Sequence, residues 1–107
     1  MRTFVIAEIG VNHNGSLKLA LDLVETAARA GANAAKFQTF KADAIVAKNT
    51  AVVAYQKASD AHDQHEMLKG LELSEAHPRA VALRCAELGI EFMSTAFDRE
   101  SLDMLCD

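Results

Sequence analysis

No stretch of this chain approaches the ~18 consecutive apolar residues that a membrane span requires. No run of Lys or Arg forms a patch for nucleic acid or for an anionic membrane surface. Eleven basic against fifteen acidic residues leave a formal charge of −4. Cysteine is scarce: Cys85 and Cys106 make neither a disulfide framework nor a CxxC pair, and both read as reduced core thiols. Five glycines and one proline among 107 residues exclude a collagen-like fibre. Neither GxGxxG nor GxxxxGKS/T occurs, so there is no glycine-rich phosphate loop. Glu8 interrupts the apolar opening, which removes any secretory core there and makes the cytoplasm the expected compartment. What is present is 50% apolar and 24% charged, the balance of a globular domain.

Residues 3–9 form a short, nearly continuous apolar run ended by Gly10, which predicts a parallel-sheet strand buried on both faces. Asn14-Gly15 marks a turn and Ser16 is a candidate N-cap. Leu17, Ala20, Leu21, Val24, Ala27 and Ala28 then recur at helical spacing until Gly31 stops the helix. Residues 32–37 predict a second strand. From Thr39 to about Asp63 the pattern is weak, with short helical turns expected around 52–57 in a loop long enough to suggest function. A brief helix is expected over 64–71. Ser74 should cap a longer one, with Val81, Cys85 and Leu88 inward and Gly89 at its end; Pro78 is tolerated only in its first turn. Residues 90–94 predict a third strand, and Asp98 should cap a last helix whose apolar face is Leu102 and Leu105. Strands alternating with helices imply α/β architecture, a parallel sheet with right-handed crossovers. Three strands alone leave two open edges, whereas a closed (β/α)8 barrel takes ~250 residues. The chain therefore reads as a partial TIM barrel, its first three βα units (βαβαβα), in preference to a small open α/β domain.

In parallel α/β folds the working groups gather at the carboxyl ends of the strands. There stand Glu8 and Asn12-His13-Asn14, then Lys36 and Gln38, then Ser94, Thr95 and Asp98. A lysine within a strand is costly to bury unless an anion meets it. Glu8 could be that anion, in a structural ion pair filling a barrel interior. Alternatively Lys36 awaits a phosphate or carboxylate, with the Ser94 and Thr95 hydroxyls as further donors. Asn12–Gly15 also reads as a plain tight turn, and Ser94 and Asp98 as helix caps. His62, His65 and Glu66 lie at helical separations but match no zinc spacing, so a solvated helix face is the default there. His77 reads as a helix-start residue; Met67, Leu68, Leu71 and Leu73 read as packing, and Tyr55 as packing or as cover for a site.

The same residues spell motifs. Ile-Ala-Glu-Ile-Gly-Val-Asn-His-Asn-Gly-Ser over 6–16 resembles the opening of the sialic acid synthase family, and Ala-Lys-Phe-Gln-Thr-Phe-Lys-Ala over 35–42 resembles its second-strand motif. Tyr55-Gln56 and residues 66–74 are similar to its middle segment, and residues 89–95 with Phe97-Asp98 to its third-strand motif. The resemblance implies a TIM-barrel, C–C bond-forming transferase that condenses phosphoenolpyruvate with an N-acetylated hexose of the N-acetylmannosamine type. Phosphate is released, and the product is a nine-carbon 2-keto sugar acid, as in N-acetylneuraminate, legionaminate and pseudaminate synthases. It further implies a divalent metal, manganese or magnesium, and a homodimer in which a C-terminal antifreeze-like domain completes the partner's site. On matching positions, Lys36 and Thr95 resemble the residues that hold the anionic groups of phosphoenolpyruvate. Ser94 and Gln38 would help line that pocket, and Glu8 resembles the catalytic carboxylate that orients the sugar or handles a proton. Three departures stand out: Ala96 for the usual proline, His65 for a common tyrosine, and His77-Pro78 in place of an acidic helix start. The family's metal-binding histidines and its C-terminal domain lie beyond residue 107, so no metal ligand is assigned here and His13 is not promoted to one. Residues 1–107 are expected to be the N-terminal portion of such a barrel, inactive alone. The alternatives are a non-catalytic truncated gene product and a small α/β anion-binding module.

Overall fold

The computed structural model describes residues 2–44, 66–72 and 76–106. Three strands, β1 (Ile6–Gly10), β2 (Ala34–Thr39) and β3 (Glu91–Ala96), form one parallel sheet in the order β1-β2-β3. Helix α1 (Leu17–Arg29) links the first two strands, α2 (Ala76–Glu87) precedes β3, and α3 (Arg99–Cys106) follows it. A short helical segment spans 66–71.

Local chemistry sets most of the boundaries. The Ser16 hydroxyl accepts the Leu19 N–H at 3.2 Å and starts α1. Its end is a pair of backbone bonds, Gly31 N–H to Ala28 O and Ala32 N–H to Ala27 O, and α2 closes in the same way through Gly89 and Ile90 onto Ala86 and Cys85. That closure consumes the Ala32 N–H, and Asn33 exchanges bonds with Val5 through both its backbone N–H and its side-chain oxygen. The second strand therefore begins at Ala34, two residues later than the apolar run suggested. β3 runs on to Ala96 because Phe97 N–H still reaches Thr39 O at 3.0 Å. Pro78 is the third residue of α2, where a missing N–H costs nothing.

The core lies on one face of the sheet. Ile9, Ala35 and Phe37 pack against Ala20 and Val24 of α1 and Val81 and Cys85 of α2, with Leu88 and Phe92 at the margin. No helix among the described residues covers the other face. The expectation that the first strand is buried on both sides is therefore corrected: Ile6, on the open face, is 44% exposed. Two further readings change. Cys106 is exposed, not a core thiol, while Cys85 is buried. Leu102 points outward and Ser101 takes the buried position of α3, because the Asp98 carboxylate draws that first turn inward. The expected turns around 52–57, Tyr55, His62, His65, Leu73 and the Ser74 cap lie outside the described residues.

Candidate functional site

Alternation along the strands sorts the polar side chains. Glu8 and Lys36 are register partners across β1 and β2, and Gln38 and Thr95 are partners across β2 and β3. All four therefore stand on the open face, opposite the helices. Lys36 Nζ lies 3.7 Å from Glu8 Oε2, with the two side chains 40% and 51% exposed. A pair this open to water contributes only about 0–1 kcal/mol, so an incoming anion would displace Glu8 at little cost.

Between Glu8 and Gly10 the β1 register slips, so that Gly10 partners Phe37. Gly10 adopts φ +57°, and a Cβ there would stand 3.3 Å from Glu8 Oε1 and 3.5 Å from Gln38 Nε2. The carboxylate and the carboxamide thus converge over a backbone floor that has no side chain. Gln38's carboxamide has no hydrogen-bond partner among the described residues.

Ser94 is placed differently. It is the register partner of Phe37, faces the helix side, and its hydroxyl lies 2.6 Å from Thr39 Oγ1. The structure brings Glu8, Lys36, Gln38 and Thr95 to one face and Ser94 to the other. Asp98, buried at the end of the third βα turn, is a cap: Oδ1 accepts Ser101 N–H at 2.8 Å and Oδ2 accepts Lys41 N–H at 2.6 Å. His13 is buried too. Its ring stacks on Phe37 with centroids 6.0 Å apart, and Nδ1 accepts the Gly15 N–H at 2.9 Å. Burial, and secondly the nearby His77, push its pKa below the ordinary histidine value.

A cover over the strand ends went unread in the sequence. Segment 66–72 docks on the first loop so closely that a Cβ on Gly15 would lie 2.3 Å from Gly70 O. Glu72 ties it to the exit of β2, accepting the Ala42 N–H at 3.2 Å and pairing with Lys41 Nζ at 3.5 Å. Both charged side chains are largely buried, 20% and 11% exposed. No local pattern announces a pair so distant in the chain; only the tertiary approach of the two loops makes it. Beneath the cover, Val11, Gln38, Phe40, Leu68, Leu71 and Phe97 line an open, mainly apolar hollow of about 170 Å³. A larger hollow of about 340 Å³ lies between α2, β3 and α3 on the helix side, away from the polar cluster.

Among the described residues, the divalent metal implied by the resemblance finds no seat. Among the described residues no group of three or more His, Cys, Asp or Glu side chains could hold one. His13 presents its Nδ1 lone pair to Gly15, so its Nε2 carries the proton and has no lone pair to give. Nor is any helix among the described residues long and apolar enough to cross a membrane.

Parallel βα units with helices on one face and polar groups at the strand ends are the opening of a TIM-type barrel. The crystal structure of an N-acetylneuraminic acid (sialic acid) synthetase from Leptospira borgpetersenii superposes with a TM-score of 0.77 at 31% identity, covering 99% of this chain and 33% of that one. Residues 23–107 match the NeuB family, and the chain belongs to it. It is 53% identical over 107 residues to the N,N'-diacetyllegionaminic acid synthase of Legionella pneumophila and 42% identical over 106 residues to that of Campylobacter jejuni. These alignments cover 98% and 97% of this chain but 30% and 32% of the relatives, so the chain spans about a third of their length.

Proposed function

We propose that this chain supplies the first part of the phosphoenolpyruvate site of a sialic acid-type synthase, which joins phosphoenolpyruvate to an N-acetylated hexose. The supporting observation is the Lys36–Glu8 pair, open on the barrel face with Gln38 and Thr95 beside it, in a chain whose relatives are named as sugar-acid synthases. Lys36 would take over an anionic oxygen of phosphoenolpyruvate, releasing Glu8, and the Thr95 hydroxyl would donate to a second oxygen. Freed from its partner, Glu8 would orient the sugar or move a proton at the reacting carbons. In the reaction so read, C3 of phosphoenolpyruvate bonds to the sugar aldehyde carbon, water adds at C2, and the C2–O bond breaks as phosphate leaves. Lys36 and Thr95 would neutralise the charge that develops on the departing group.

The test is a calorimetric titration of phosphoenolpyruvate into the chain and into Lys36→Ala. Loss of one charge-assisted contact, about 1.5–3 kcal/mol, should weaken binding roughly 10- to 100-fold; equal affinities would sink the assignment. No phosphate release is expected from residues 1–107 alone, because the chain spans about a third of its relatives. The two-substrate assay that detects product would overturn that expectation.

A further inference from the structure

We infer that His13 and His77 form a proton-operated latch, which holds segment 66–72 against the first loop and releases it on proton uptake. The inference stands apart from the synthase reading, because its readout is the cover itself. His13 is fully buried, and its Nδ1 accepts the Gly15 N–H at 2.9 Å. That bond needs a lone pair. A proton taken up at Nδ1 turns the acceptor into a donor, sets two N–H groups against each other and leaves the Gly15 amide unmet. Gly15 is also the seat of the cover, since a Cβ on it would lie 2.3 Å from Gly70 O and 3.5 Å from Glu72 O. Backbones that approach so closely lose their contact when the turn shifts. The second ring belongs to His77, the second residue of α2. Its Nδ1, like the Nε2 of His13, is buried with no hydrogen-bond partner among the described residues. A positive charge on His77 works against one on His13. The other charges on the surrounding elements are engaged elsewhere. Lys18 pairs with Asp22 and Glu25 with Arg84 on the helices, Lys41, Asp43, Lys69 and Glu72 pair among themselves, and Glu66 and Arg79 are exposed. Glu72 keeps its own bonds to the Ala42 N–H and to Lys41, so the release is a swing about that anchor. The closed form binds the proton more weakly than the open one. Opening therefore increases as the pH falls below ~6.5, about tenfold per pH unit for each proton taken up.

The experiment is an NMR titration of the isotopically labelled chain from pH ~7.5 to ~5, the range in which a histidine changes charge. At the upper end the His13 ring should show Nδ1 without a proton, and Gly15 and Gly70 should give a through-space contact. Toward the lower end that contact should weaken as the ring gains its proton. Exchange of the Gly15 amide, corrected for intrinsic chemistry, should rise about tenfold per pH unit, while the Val24 and Phe37 amides keep their protection. His77→Gln removes the like charge, so the cover should stay closed to lower pH. His13→Phe removes the lone pair, so any remaining contact should no longer depend on pH. Should a variant fail to fold, the wild-type titration decides the matter alone. A Gly15–Gly70 contact that survives protonation of His13 would overturn the latch. Loss of protection at Phe37 in step with Gly15 would also overturn it, because the change would then be global unfolding. Opening that His77→Gln leaves unchanged would overturn the pairing of the two rings.

Discussion

His13 shows how one side chain can link the first loop to solution pH. With Nδ1 held by the Gly15 N–H and Nε2 buried without a partner among the described residues, the folded chain favours the neutral ring. Its folded pKa lies below the unfolded value of ~6.5, first through burial and then through His77. The unfolded state therefore binds the proton more readily. Stability from this group is present above pH ~6.5 and is lost as the pH falls below that value, down to the folded pKa. Urea midpoints measured from pH 7.5 to 5 should fall on the acid side, and His13→Phe, which keeps the stack on Phe37, should flatten that slope. A wild-type midpoint that does not move over this range would contradict the assignment. The residue was visible in the sequence as part of a turn motif. Its burial was not, because nothing in the spacing of Asn12-His13-Asn14 says that Phe37 will arrive beneath the ring.

At the scale of elements, the helices and strands were legible wherever a local signal sets them. Ser16, Gly31, Gly89 and Asp98 all act at the boundaries their residue types suggest, since capping chemistry is a matter of a few neighbouring atoms. The face of each strand was harder. Ser94 and Thr95 are adjacent in sequence and equivalent as hydroxyl donors, yet the pleat sends them to opposite sides. The choice between Glu8 as a packing partner and Glu8 as a working group was likewise undecidable from spacing, because it turns on exposure. The 66–72 cover needed the Glu72 contacts with Ala42 and Lys41, which join loops far apart in the chain. Asp98 provides the element-scale prediction. It caps α3 and also holds the β2 exit through Lys41 N–H, so Asp98→Ala removes a cap worth about 1 kcal/mol and strands a backbone donor at a further cost of about 1–3 kcal/mol. Thermal melts should show a loss of roughly 2–4 kcal/mol, and Asp98→Asn should recover part of it; a loss no larger than that of a surface substitution would refute the double role.

At the scale of the whole molecule, the three-stranded sheet has helices on one side and leaves Phe4, Val5 and Ile6 about half exposed beside its first strand. Unpaired strand edges and exposed apolar groups invite association. Sedimentation velocity should give a mass that rises with concentration, and Ile6→Lys should suppress the rise; a monomer at every concentration would count against it. The bare floor at Gly10 has a consequence of another kind, for how such a site can diversify. Its floor disfavours a side chain, since φ +57° strains any residue with a Cβ and that Cβ would also crowd the Glu8 carboxylate at 3.3 Å. Val11, Leu68 and Leu71, which line the hollow beside it, have no positive φ to confine them to glycine. Change in the side chains around this floor would accordingly be written in that lining, while φ +57° keeps the floor itself to glycine.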